Sequence, residues 1–176
     1  MPNIRPIREN EYEALEDFLY HAIFVPQGHE VLSRDTIFIP EIFVYIDNFG
    51  KPDDVCFVAE EDGDLIGAAW SRILSLAGKK GYGNIDEKTP ELAVSVLPEY
   101  RGNGIGTRLI GSLIRALREN GYSRLSLSVQ KENPATRLYL RLGFQIASEN
   151  TEDYIMVLDF TRSVSLRACG NIRSKL

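Results

Sequence analysis

Between Glu91 and Gln130 the hydrophobic period changes twice, and no other feature of the chain restricts its possible folds as much. The stretch "ELAVSVL" is β-rich, "RGNGIG" is a glycine turn, and Leu109, Ile110, Leu113, Ile114 and Leu117 then recur at helical spacing. Gly121 stands where a left-handed residue would close that helix, and "RLSLSVQ" returns to strict alternation. Strand, helix and strand in this order predict a parallel pair joined by a right-handed crossover. Ligand sites in such sheets lie beyond the carboxyl ends of the strands, where the glycine turn falls.

The remainder fits around that unit. Ile4 to Arg8 read as a first strand, and Asn10 as the N-cap of a helix with Tyr12, Leu15, Leu19 and Ala22 or Ile23 on its buried face. "IPEIFVYIDNFG", residues 39–50, predicts a second helix with Pro40 in its first turn. The run over 55–74 predicts a hairpin turning at Asp62-Gly63, and 76–90 reads as a glycine-rich loop. "NPATRLYLRLGF" predicts a short helix, with Asn133 as N-cap, Pro134 at the first position and Gly143 just past the end. Two closing strands are expected at 144–148 and 154–160. The order predicts an α/β fold with a mixed central sheet and helices on both faces. One domain over 1–160 and a frayed C-terminal tail over 161–176 are expected.

Composition removes several classes. The two cysteines, Cys56 and Cys169, are far apart, so neither a disulfide framework nor a metal site is expected, and a reducing cytoplasm is the natural compartment. His21 and His29 have no matching ligand cluster. No apolar run reaches the ~20 residues that cross a membrane, and the N-terminus lacks the apolar segment of a signal peptide. The net charge of −5 is uneven: residues 1–97 carry 8 basic and 18 acidic side chains, and residues 98–143 carry 8 basic and 3 acidic. That distribution argues against general nucleic-acid binding and leaves room for one small polyanion at the basic segment.

The turn itself has two readings. Arg101-Gly102-Asn103-Gly104-Ile105-Gly106 strips side chains where a helix begins, and the first N–H groups of that helix lack partners while its dipole favours negative charge. This suits phosphate, although glycines at a sharp turn also serve purely structural ends. Two nucleotide motifs fail. The Walker pattern needs a lysine where Thr107 and Arg108 follow Gly106. The dinucleotide fingerprint needs glycine where Thr107 or Leu109 stands, and no acidic residue follows about 20 positions on.

Arg101, Gly104 and Gly106, preceded by "SVLPEY", resemble the cofactor signature of the GCN5-related N-acetyltransferases, the GNAT superfamily. About 30 residues further on, Asn133, Tyr139 and Gly143-Phe144 in "NPATRLYLRLGF" resemble that family's second cofactor segment. The likeness covers roughly residues 55–160 by motif and the N-terminal part by topology. It implies a single GNAT-like domain whose parallel central strands splay at a cofactor cleft, with acetyl-CoA as acetyl donor and no metal. The pyrophosphate would lie on the backbone of Arg101, Gly102, Asn103, Gly104, Ile105 and Gly106, with a hydroxyl from Thr107 and a contribution from Asn133. The strand edge at Val94, Ser95 and Val96 would pair with the pantetheine arm.

The same resemblance implies an N-acetyltransferase acting on a primary amine, carried by a small molecule or a peptide, with no nucleic-acid or membrane partner. Monomer and homodimer both stay open. A lysine-like amine at pH 7 is protonated, a deficit of roughly 4–5 kcal/mol that a carboxylate can offset by taking the proton. Glu91 matches the family's place for such a base; an exposed charge at a strand start is the competing reading, and Glu60 and Glu61 are weaker candidates. Tyr139 matches the family's acid for the leaving thiolate, although between Leu138 and Leu140 it would otherwise read as core. A backbone N–H near Val96 is the expected oxyanion donor. Neither cysteine is near the motif, which favours direct transfer in a ternary complex. Tyr45, Trp70 and Tyr82 are candidates to line the acceptor site. A catalytically idle acyl-CoA sensor and a transferase of another acyl chain are the alternatives.

Overall fold

Seven strands hydrogen-bond into one sheet: β1 (Asn3–Pro6), β2 (Val55–Glu61), β3 (Asp64–Arg72), β4 (Glu91–Val96), β5 (Arg124–Gln130), β6 (Gln145–Glu149) and β7 (Asp153–Asp159). Their order is β1-β2-β3-β4-β5-β7-β6. The structure is a computed structural model and describes residues 1–74 and 81–161. The expected tail, Thr161 apart, and part of the loop before β4 lie outside the described residues.

The β2–β3 hairpin turns where expected, with Asp62 at φ 53 and Gly63 at φ 93, the left-handed pair a tight hairpin needs. Neighbouring strands are antiparallel except β4 and β5. That parallel pair keeps one register match, Glu91 with Ser126, supported by Ser126 N–H donating to the Pro90 carbonyl at 3.0 Å. Beyond it the two strands part. The expected mixed sheet with splayed parallel strands is what the chain forms.

Helix α3 (Ile105–Glu119) buries Leu109, Ile110, Leu113 and Leu117 completely against one face of the sheet. Helix α4 (Thr136–Arg141) joins it there through Tyr139. Burying each such leucine contributes about 2 kcal/mol, so the start of α3 is pinned beneath the end of β4. Helix α1 (Ala14–Ala22) covers the other face, packing Leu15, Phe18 and Leu19 on Val58, Ala68 and Trp70. The sheet therefore separates two cores, and the gap between β4 and β5 opens between them.

Three expected elements are shorter than their patterns. β1 ends at Pro6, and past it the Ile7 N–H makes one more bond to β2, donating to the Cys56 carbonyl at 3.1 Å. The first helix begins at Ala14 rather than after Asn10, because the Glu11 carboxylate takes the Arg8 N–H at 2.8 Å and the Arg5 guanidinium, holding Glu9–Glu11 as a 3-10 turn. The second helix, expected over 39–50, is one turn, α2 (Pro40–Phe43). The Arg72 guanidinium donates to the carbonyls of Val44 (3.0 Å), Asp47 (2.8 Å) and Asn48 (3.4 Å), groups that a longer helix would use itself. Asn48, left-handed at φ 50, ends the run.

Candidate active site

Two clefts meet where β4 and β5 part. The larger, about 820 Å³, runs over the glycine turn, and every residue expected to hold the cofactor lines it except Asn103. Asn103 is exposed, its side-chain amide donating to the Tyr100 carbonyl at 3.3 Å. Gly102 and Gly104 are left-handed, at φ 82 and φ 75, and Gly104 is the N-cap of α3. Among the described residues, the backbone N–H groups of Gly102 to Thr107 find no acceptor. Six unpartnered donors at the positive end of a 15-residue helix fit a pyrophosphate.

The Arg101 guanidinium takes a different part from its backbone. It donates to the carbonyls of Val96 (2.8 Å) and His21 (3.3 Å), tying the end of β4 to the end of α1. Along β4, the Leu97 N–H bonds to Ile66 on the β3 side at 3.0 Å. By strand alternation, Val94 and Val96 direct their N–H groups to the open side, towards β5. Ser95 turns its side chain to the opposite face from theirs, and its buried hydroxyl has no partner. An amide-bearing arm laid in the gap can pair with that edge as an added strand would.

Gly104 offers a direct test. A Cβ there would meet nothing within 4 Å, so the cost of Gly104→Ala is the left-handed backbone, about 1–2 kcal/mol. Acetyl-CoA binding by calorimetry is expected to weaken about tenfold. Gly104→Asn, which tolerates that conformation, should lose less.

The smaller cleft, about 390 Å³, lies on the α1 side and is lined by Leu19, Ile42, Tyr45, Tyr82, Glu91, Ser128, Glu152 and Asp153. It shares Ala22, Ile23, Phe24, Val94, Asn133 and Tyr139 with the larger one, so the two form a continuous passage. The larger cleft has the glycine turn with its unpartnered N–H groups; the smaller has the carboxylates. No cysteine among the described residues lines either, and Cys56 is buried in the α1-side core.

Glu91 is 1% exposed, which removes the reading of it as a surface charge. Its Oε1 accepts from the Tyr45 hydroxyl and from the Gly83 N–H at 2.6 Å; its Oε2 has no partner. Loss of solvation pushes the carboxyl up to about 7, and the two hydrogen bonds oppose that rise. Arg72 stands opposite Glu91 in the β3–β4 register, but its charge is committed to Asp54, with Nε 2.9 Å from Oδ1. Among the described residues Glu91 thus has no counter-ion in its dry pocket, and it is poised to gain or lose a proton near neutral pH.

Tyr139 is held by α4, whose preceding turn is capped by Asn133 Oδ1 accepting from the Ala135 N–H (2.9 Å). Gly143 at φ 95 closes the helix, as expected, and the Tyr139 ring meets Phe144 edge-on at 5.8 Å. Burial pushes its phenol up to about 12, so it is protonated at neutral pH. Tyr139 lines both clefts.

Tyr45 and Tyr82 line the smaller cleft, whereas Trp70 is fully buried and donates its indole N–H to the Tyr45 carbonyl at 2.9 Å. Glu60 is bound to Arg5, and neither Glu60 nor Glu61 lines a cleft. Of the residues that brace Glu91, Tyr45 was singled out from the sequence only as an acceptor-site candidate, and Gly83 not at all. Gly81 and Gly83 are the signal that was present: a Cβ at Gly81 would come within 2.2 Å of Glu91 Oε2, and one at Gly83 within 2.5 Å of the Leu127 carbonyl carbon. Among the described residues no group of three His, Cys, Asp or Glu could hold a metal, and no helix is long and apolar enough to cross a membrane.

Comparison with known proteins places this geometry. The family model described as the Acetyltransferase (GNAT) family matches residues 15–144. An N-alpha-acetyltransferase of Sulfurisphaera tokodaii is 29% identical over 122 residues, which cover 66% of this chain and 73% of that protein. A ribosomal protein bS18-alanine N-acetyltransferase of Haemophilus influenzae is 43% identical over 51 residues, covering 29% of this chain and only 35% of that protein. In fold, the chain is similar to yncA, a putative acetyltransferase of Salmonella typhimurium solved with its cofactor acetyl-CoA. The TM-score is 0.67 at 21% identity, over 96% of this chain and 99% of that one.

Proposed function

The chain belongs to the GNAT acetyltransferase family and is an acetyl-CoA-dependent acyltransferase, and from that premise we propose that residues 1–160 transfer acetyl directly to the α-amino group of a peptide, with Glu91 as general base and Tyr139 as general acid. The observation that carries this reading is the buried, half-partnered Glu91 carboxylate in a cleft that opens into the cofactor groove.

The choice of an α-amine rests on matched acidities. A peptide α-ammonium has a pKa of about 8 and a lysine ammonium about 10.4. Passing a proton to a carboxyl near 7 then costs about 1 kcal/mol from the first and about 4–5 kcal/mol from the second. The two relatives compared above are named for transfer to an α-amine and to an alanine, in keeping with that choice.

The chain's groups divide the work. The N–H groups from Gly102 to Thr107 hold the donor's pyrophosphate, and the Val94–Val96 edge holds its amide arm in the gap beside β5. The acceptor nitrogen, entering from the smaller cleft, attacks the acetyl carbon and gives up its proton to Glu91 Oε2, directly or through one water. The Val96 N–H receives the charge that builds on the carbonyl oxygen. As the carbon–sulfur bond breaks, the Tyr139 hydroxyl protonates the leaving sulfur. Cys56 lies in a closed core with its thiol pushed up by burial, so an acyl-cysteine intermediate has no residue to form on among the described ones.

Initial-rate kinetics with paired peptides test this. A lysine-free peptide with a free N-terminus should be acetylated at least tenfold faster than an N-capped peptide carrying one lysine, with intersecting lines as acetyl-CoA is varied. The reverse preference would overturn the α-amine reading, and parallel lines would overturn direct transfer.

A further inference from the structure

Among the described residues, the Tyr45 side chain is hydrogen-bonded both to the Glu91 carboxylate and to the loop in front of it. Its hydroxyl accepts from the Tyr82 N–H at 2.9 Å and donates to Glu91 Oε1, while the Gly83 N–H donates to the same oxygen at 2.6 Å. Oε1 therefore holds two donors and Oε2 none. A carboxylate so held cannot rotate without leaving two donors unpaired in a buried site.

The position of Tyr45 is itself fixed from behind. The Trp70 indole donates to its carbonyl at 2.9 Å, and Arg72 grips the carbonyls on either side, at Val44 and Asp47. Arg72 and its partner Asp54 are nearly solvent-free, with side chains 4% and 3% exposed. The guanidinium thus secures the segment that bears Tyr45 while its charge is balanced away from Glu91. On the loop side, glycine is required at 81 and 83, since a Cβ at either would strike the carboxylate.

We propose that Tyr45 is the positioning residue of the acetyl-transfer site: with Gly83 it ties down Glu91 Oε1 and so reserves Oε2 as the atom that takes the acceptor's proton. The proposal rests on Glu91 being the base. Among the described residues, the ionisable groups that share the cleft with Glu91 are Tyr45 from the turn after α2, Tyr82 from the loop before β4, Tyr139 from α4, and Glu152 and Asp153 from the β6–β7 turn; Arg72 stands opposite it on β3, and Asp86 is on the same loop as Tyr82. Arg72 is committed to Asp54 and Asp86 to Arg124. Among the described residues, Tyr45 is thus the ionisable side chain hydrogen-bonded to the carboxylate, and its hydrogen bond favours the charged form.

The test is a mutant cycle read through pH profiles of turnover at saturating acetyl-CoA and peptide. Tyr45→Phe should lower turnover at pH 7 roughly tenfold, the size of one hydrogen bond to a charged group. It should move the acidic break to higher pH and leave acetyl-CoA affinity within twofold. In a Glu91→Gln background the same change should have no further effect, because the hydroxyl acts through the carboxylate. Equal losses in both backgrounds, or an unmoved break, would show that Tyr45 only packs and would overturn the proposal. Full activity in Glu91→Gln would instead remove the base reading on which it rests, a failure distinct from the first.

Discussion

Glu91→Gln is expected to lower turnover by 10²–10⁴, the range that a positioned general base supplies, while making the protein more stable at pH 8. The two effects share one cause. Burial raises the Glu91 carboxyl from its ordinary value to about 7, so between roughly pH 4.5 and 7 the folded chain binds more protons than the unfolded one. The sign follows: stability from this group is fully present in acid and is lost as pH rises through 7. Above that, the buried charge costs about 3 kcal/mol. Glutamine keeps the shape and an oxygen for the Tyr45 and Gly83 donors but never carries the charge. Melting of the variant should therefore exceed that of the parent at pH 8 by several degrees and match it near pH 5. A variant that melts lower at both values would contradict the account of Glu91 as a desolvated, uncompensated carboxylate.

Tyr139→Phe is expected to lower turnover by roughly 10², with acetyl-CoA affinity kept within a few-fold. Phenylalanine retains the ring against Phe144 and the buried volume, so packing on the α3–α4 side is preserved. What is lost is the hydroxyl of a residue that lines both clefts, a group protonated at any pH at which the enzyme would work. The defect should narrow with an acetyl donor whose thiol is more acidic, because such a sulfur leaves without a proton. Equal defects with both donors would assign Tyr139 to binding or packing rather than to proton transfer.

The sheet and the cofactor turn were legible in the sequence because both are written in local pattern. Asp62-Gly63 specifies a tight hairpin wherever it falls between β-rich runs, and α3 shows its buried stripe at every turn of the helix. The glycines at 102 and 104 announce positive φ for the same reason: no other residue adopts it as cheaply. The short second helix was not legible. Residues 39–50 have helical spacing, and what stops them is Arg72, 24 positions or more away, taking their carbonyls. The proton-accepting site was half legible. Glu91 was found through a motif, but its burial and its partner Tyr45 depend on a contact 46 residues apart in sequence. Gly81 and Gly83 read as loop residues because the carboxylate they must clear is distant in pattern, though only eight residues from Gly83 in the chain.

The most direct test of the account is the pH dependence of turnover, measured at saturating acetyl-CoA and N-terminal peptide, for the parent enzyme and for Glu91→Gln. The expected profile rises with unit slope to a break near pH 7 in the parent and has no such break in the variant. A parent profile flat between pH 6 and 8, or the same break surviving in Glu91→Gln, would contradict the assignment of Glu91 as the base.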